Sequence, residues 1–154
     1  MAWSTLNFGK HAGKTLPQIV FADPDWFFWA IETNVFKGPL KREAETVNVR
    51  ARTIRIPNNT AGNLQAEYLV HPPTGKFGNM EIVPVSRPLH QGSSPAFRMD
   101  VIDLSVPRRI ASYDKLGCRA LVSSAKYALF GSISTRMTKE RCEVFFDNSA
   151  NFAV

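Results

Sequence analysis

The run Pro24-Asp25-Trp26-Phe27-Phe28-Trp29-Ala30-Ile31 limits the fold of this chain most strongly, because as a helix it is apolar on almost every side. Trp26, Trp29 and Ala30 fall at i, i+3 and i+4 and form one face, Phe27 and Ile31 form a neighbouring one, and Phe28 is left over. A helix this short cannot bury all its sides alone, so either the rest of the chain wraps it or part of it is an interface. Asp23 offers a capping side chain, and Pro24 suits the first helical position, where its missing N–H costs nothing. A helix is therefore predicted from Pro24 to about Ile31, with a shorter helical turn over Leu16 to Phe21 ahead of it.

Upstream, Gly9 and Gly13 bracket Lys10-His11-Ala12, and glycine tolerates the positive φ of a tight reversal. Residues 5–15 are expected to form a short hairpin whose tip presents Lys10, His11 and Lys14, three donors that a phosphate can meet. Phe8-Gly9-Lys10-His11-x-Gly13-Lys14, then Asp23-Pro24-Asp25-aromatic-x-x-Trp29, resembles the FGKHKGK and DPxYLxWL pattern of the exonuclease X-like C-terminal domain. The resemblance covers residues 6–31 alone. It implies an appended accessory module that contacts nucleic acid, with Lys10, His11 and Lys14 as contact residues and Trp29 as a core anchor, and without the nuclease's own acidic motifs. Two positions depart from the pattern. Ala12 stands where a basic residue is usual, and Phe28 replaces a polar residue, which points towards a protein contact.

At 154 residues with 44% hydrophobic and 21% charged content, the chain can bury a core as one or at most two domains. Its 19 basic and 13 acidic side chains leave a net charge of +6. Such a surplus favours a polyanionic partner, DNA or RNA, although many basic proteins have none. No apolar run preceded by positive charge marks the first fifteen residues as a secretion signal. The apolar stretch from Ile19 to Phe36 is broken by Asp23, Pro24, Asp25 and Glu32. A cytoplasmic protein with no membrane contact is expected. Cys118 and Cys142 are too far apart for a CxxC motif and are expected to be buried free thiols.

Residues 33–45 read as a basic connector around the Gly38-Pro39 breaker. They are either the boundary between a module over residues 1–36 and an α+β region over 46–154, or a surface loop within one unit; the two parts are expected to pack as one compact body. From Thr46, the alternation of Val47, Val49 and Ala51 with Asn48, Arg50 and Arg52 predicts a half-buried strand. Arg50 and Arg52 would form a basic ridge on it, serving phosphate contact or solubility alone. After a turn-rich loop at 57–63, a hairpin is predicted with strands Ala66 to Val70 and Met80 to Val85. Its connection, His71 to Asn79, would present Lys76 and Phe77, a cation for a backbone and a ring for a base. Residues 86–97 are irregular, and Phe97 to Leu104 returns to a strand.

Val106-Pro107-Arg108-Arg109 leads into the longest helical signal, with Cys118, Leu121, Val122, Ala125, Ala128 and Leu129 at helical spacing and Gly131 as the stop. Lys115, Arg119, Ser123 and Lys126 share another side, giving a basic stripe for phosphate or for solvent; Gly117 is expected to delay the regular part. A last helix is predicted within Thr138 to Phe152, with Thr138 as its cap. Phe152 and Val154 are expected to dock back or to meet another chain.

These elements predict an α+β fold with a short N-terminal hairpin plus helices, an antiparallel sheet, and two C-terminal helices packed on one face. No catalytic, metal or cofactor site is expected. Strand alternation puts Asp100 and Asp103 on opposite faces, and His11, His71 and His90 lack metal-ligand spacing. The leading expectation is a non-enzymatic nucleic-acid-binding accessory protein using Lys10, His11, Lys14, Arg50, Arg52, Lys76, Phe77, Lys115 and Arg119. The alternative is a small inhibitor or adaptor that binds a protein partner, or pairs with itself as a homodimer, through Trp26, Phe27 and Phe28.

Overall fold

A computed structural model describes residues 2–154. The N-terminal reversal is followed by α1 (Leu16–Ala22) and α2 (Pro24–Glu32), which join at Asp23. Thr15 and Gln18 form a capping box at the start of α1, and the Asp23 side chain accepts the Trp26 amide to start α2. Both starts are local; the one at Asp23-Pro24 was legible as a cap and proline signal, while α1 was expected only as a short helical turn.

The next helix, α3 (Pro39–Ala51), corrects the reading of residues 33–45 as connector and of Thr46 onward as strand. Pro39 opens the first turn, and Lys41-Arg42-Glu43-Ala44-Glu45 is a run of good helix formers. Its buried residues are Ala44, Val47 and Ala51, at i, i+3 and i+7. Val47 and Ala51 also satisfy a period of two, which is why the short window misled; Val49 is exposed. Only β1 (Ile54–Arg55) remains of the expected strand.

β2 (Leu64–His71) and β3 (Lys76–Pro84) form the predicted hairpin, with β4 (Ala96–Met99) on the other edge of β2, giving the antiparallel order β3-β2-β4. Tyr68 is central, opposite Met80 on one side and Phe97 on the other. Its hydroxyl donates to the Val101 carbonyl and accepts the Asp103 amide, both at 2.9 Å. β5 (Val101–Ile102) pairs with β1, whose Ile54 also bridges to Phe152. The Ala153 amide donates to the Thr53 carbonyl at 2.8 Å, so the last residues dock back through Phe152 while Val154 stays exposed.

α4 (Val106–Ile110) leads to α5 (Lys115–Phe130), which lies along β3, and α6 (Lys139–Asp147) packs against α1. Phe21 of α1 meets Phe145 and Phe146 of α6 edge-on at 5.6 Å. Gly131 ends α5 at φ +84°, a left-handed cap that a side chain would strain. A turn of 3-10 helix (Ser149–Asn151) precedes Phe152. The result is the expected α+β fold, but of the two C-terminal helices expected on one face of the sheet, α5 packs on β3 and α6 on α1. One hydrophobic cluster runs from Trp3 and Leu6 through Phe27, Phe28, Tyr68 and Leu121 to Phe146 and Phe152. No helix among the described residues is long and apolar enough to cross a membrane.

Candidate nucleic-acid interface

The hairpin tip is held by its own backbone. The Leu6 amide donates to the Lys14 carbonyl at 2.9 Å and the Gly13 amide to the Leu6 carbonyl at 2.8 Å. Gly9 and Gly13 take φ values of +70° and +86°, the region where glycine carries no steric cost. This reversal sets Lys10 and His11 over Asp23. The Lys10 ammonium lies 3.1 Å from Asp23 Oδ2, and His11 directs Nε2 at the same oxygen from 3.0 Å. A third cation arrives from far along the chain, as Lys115 Nζ stands 3.5 Å from that oxygen. Asp23 therefore caps α2 with one oxygen and gathers two lysines and a histidine with the other.

Burial sets the electrostatics of this cluster. It pushes the His11 imidazole below its ordinary pKa, outweighing the upward pull of Asp23, so the ring is neutral near pH 7. Burial pushes the Asp23 carboxyl up, but the hydrogen bonds from His11, Lys10 and the Trp26 amide prevail and hold it below the usual carboxylate range. The edge of the His11 ring packs on Trp26, with centroids 4.9 Å apart. His11 Nδ1 is buried with no hydrogen-bond partner among the described residues, as is Asp114 Oδ2.

Behind the cluster, a network of Arg108, Asp25 and Asp114, buried except at Glu32, fixes where α5 starts. Arg108 forks onto both oxygens of Glu32, at 3.0 and 2.9 Å, and reaches Asp25 Oδ1 at 3.1 Å. The same Asp25 oxygen accepts the Asp114 amide at 3.3 Å. Asp114 in turn caps α5, its Oδ1 taking the Gly117 amide at 2.9 Å. The regular helix thus begins before Gly117 rather than after it. Glycine suits that position because a Cβ would displace the Asp114 carboxylate from its cap.

The β2–β3 turn closes the edge. Gly75, at φ +69°, tightens it, and Lys76 donates to the Tyr113 carbonyl at 3.3 Å, two residues before Lys115. Arg119 is exposed one helical turn beyond Lys115, and Lys14 is exposed on the hairpin. Of the basic residues expected to contact phosphate, Lys10, Lys76, Lys115 and Arg119 thus share the region between hairpin tip, turn and helix start. Lys14 lies close enough to disfavour protonation of His11.

Other expected site residues lie elsewhere. Arg50 and Arg52 sit on α3, not on a strand ridge, and both are bound inward. Arg50 donates to the Phe146 carbonyl and lies 5.3 Å over the Phe152 ring. Arg52 bonds Asn48 Oδ1 and Ser105 Oγ, each at 2.9 Å, and lies 4.9 Å over the Phe28 ring. Phe77 is 5% exposed and belongs to the core, because β3 begins at Lys76 rather than at Met80 and places Phe77 opposite Val70. His11 is likewise buried, so its role is to position Asp23 and not to reach outward.

Phe27 and Phe28, expected at a protein interface, are fully buried, each worth about 1.5–3 kcal/mol of hydrophobic stabilisation. Trp26 is partly buried between His11, Trp29 and Phe36. Trp29, the implied core anchor, is 42% exposed. The rest of the chain does wrap α2, and only the Trp29 side reaches the surface. The side chain missing from the sequence reading is Tyr113, 60% exposed beside Lys76 and Lys115. Its signal was weak, since a tyrosine just before a capping aspartate has no periodicity to place it.

Among the described residues no group of three His, Cys, Asp or Glu side chains gathers to hold a metal. Asp100 bonds Gln65 at 2.9 Å, while buried Asp103 bonds Ser105 and pairs with Arg109 at 2.8 Å. Burial pushes the Cys118 and Cys142 thiols up to about 12, which makes them poor nucleophiles. No family model matches the chain, and no curated protein or solved structure is similar enough to it to count as a relative.

Proposed function

We propose that this chain is a non-enzymatic nucleic-acid-binding accessory protein, acting in the cytoplasm, whose phosphate-contacting surface is the edge formed by Lys10, Lys14, Lys76, Lys115 and Arg119. The convergence of Lys10 and Lys115 on a single Asp23 oxygen supports this most directly. Two ammoniums over one carboxylate leave an uncompensated positive charge, and the acids that position them, Asp25 and Asp114, are buried. Tyr113, whose carbonyl accepts Lys76 Nζ two residues before Lys115, adds an exposed ring to this edge, and cation with ring is the combination that single-stranded nucleic acid uses for backbone and base.

A second reading is a protein partner with an acidic surface. It draws on Leu116 and Tyr127, 77% and 66% exposed on α5, a helix that carries Lys115, Arg119 and Lys126 and no carboxylate. Fluorescence anisotropy with labelled single-stranded DNA, duplex DNA and RNA across a salt series separates the two. Phosphate contact predicts affinity that falls steeply with salt, with a slope that flattens by about one unit per cation removed in Lys115→Gln and Arg119→Gln. An unchanged slope rejects this edge as the contact surface. Absence of binding to all three probes favours the protein partner.

A further inference from the structure

A separate site lies at the other end of α5. Between β1 with the loop that follows it, and α6 with the closing 3-10 turn, runs a groove of about 990 Å³. That volume suits a small organic ligand. Its apolar lining is Leu129 and Phe130 from the end of α5, Val144 and Phe145 from α6, and Ile56 and Val101.

Two arginines line the same groove, and neither has a carboxylate within ion-pairing distance among the described residues. Arg55 is held in place by its Nε, which donates to the Phe152 carbonyl at 2.9 Å, so its two terminal nitrogens have no protein partner. Arg141 lies 5.3 Å over the Phe130 ring and makes no side-chain hydrogen bond. Arg98, Arg108 and Arg109, by contrast, are each paired with carboxylates, Arg98 with Glu67, Arg108 with Asp25 and Glu32, and Arg109 with Asp103. Asp100 and Glu140 also line the groove, so the site as a whole is close to neutral and disfavours ligands carrying several negative charges.

We propose that this groove binds an organic monocarboxylate with an apolar, ring-bearing body, its carboxylate on Arg55 and Arg141 and its body against Phe130, Phe145 and Val144. A guanidinium matches a carboxylate with two parallel N–H donors, and the aromatic floor accepts the ring. The site is independent of the basic edge, and its occupancy needs no nucleic acid.

The test is a titration of the ¹⁵N-labelled full chain with 4-phenylbutyrate, followed by amide NMR, with 4-phenylbutyramide as the neutral control. The expected result is saturable shifts confined to groove residues such as Leu129, Val144 and Asn148, with the amide weaker by about tenfold or more. Arg141→Met should weaken the carboxylate by a similar factor. Val144→Trp, at an exposed position where a larger side chain fills the groove without touching the core, should abolish the shifts. Equal affinity for acid and amide, full affinity in Arg141→Met, absence of saturable shifts, or shifts outside the groove would each overturn the proposal.

Discussion

α3 and α5 carry similar basic side chains and use them in opposite ways. On α3, Arg50 and Arg52 turn inward and lie over Phe152 and Phe28, with hydrogen bonds to a carbonyl, an amide oxygen and a hydroxyl. On α5, Arg119 stands in solvent and Lys115 meets only the carboxylate it shares with Lys10. The difference is one of neighbours. α3 borders the aromatic cluster of α1, α2 and α6, where a guanidinium covers ring faces, while Leu116, Arg119 and Tyr127 on α5 are exposed. Positive charge alone therefore does not distinguish the two helices; what differs is whether the side chain is held inward or faces solvent.

The largest effect expected to test this contrast is in Arg52→Ala. Loss of the ring contact and two hydrogen bonds should cost about 2 kcal/mol in urea unfolding, with nucleic-acid affinity unchanged. A stability within about 0.5 kcal/mol of the parent would return Arg52 to the set of free cations. Next comes Gly117→Ala. In an ordinary helix interior this replacement gains stability, but here the new methyl meets the Asp114 cap. A loss of about 1 kcal/mol in thermal or urea unfolding is expected, and a gain would show that the cap is dispensable.

A smaller, pH-dependent effect belongs to His11. Its folded pKa lies below the unfolded value, so at acidic pH the folded state binds fewer protons than the unfolded state. The stability this contributes is present above the unfolded pKa of about 6.5 and is lost as the pH falls from there towards the folded pKa. Urea midpoints should decline between about pH 7.5 and pH 5, and His11→Asn should flatten that part of the profile. A decline that persists in the variant would assign it to other groups. The smallest effect on stability is expected for the double change Lys115→Gln and Arg119→Gln, within about 0.5 kcal/mol of the parent, even as the salt slope of binding falls. A large loss of stability there would erase the contrast between the two helices.

What could be read from the sequence follows the range of the interactions involved. The caps at Asp23, Asp114 and Thr138, the stop at Gly131 and the β2–β3 hairpin rest on neighbours a few residues away, and most were visible as residue types at fixed offsets. α3 was missed because Val47 and Ala51 fit both periods, and the choice was made by packing on α1 and α2. Phe77 moved from loop to core because β3 starts at Lys76 rather than at Met80, and strand alternation then sends the Phe77 side chain inward. The meeting of Lys10, Asp23 and Lys115 had no sequence signal at all. It depends on Arg108 and Asp25 placing the start of α5, a contact between segments with no shared period or spacing.

Asp23 has a consequence for how this chain tolerates change. One side chain starts α2, anchors the hairpin and sets the separation of two lysines. Asparagine or serine can replace it in the first task but carries no charge for the other two, and glutamate keeps the charge but caps poorly. No single replacement preserves all three, so variation at this position is confined unless Lys10, His11 and Lys115 change with it. The most economical part of the architecture is also the least free to drift.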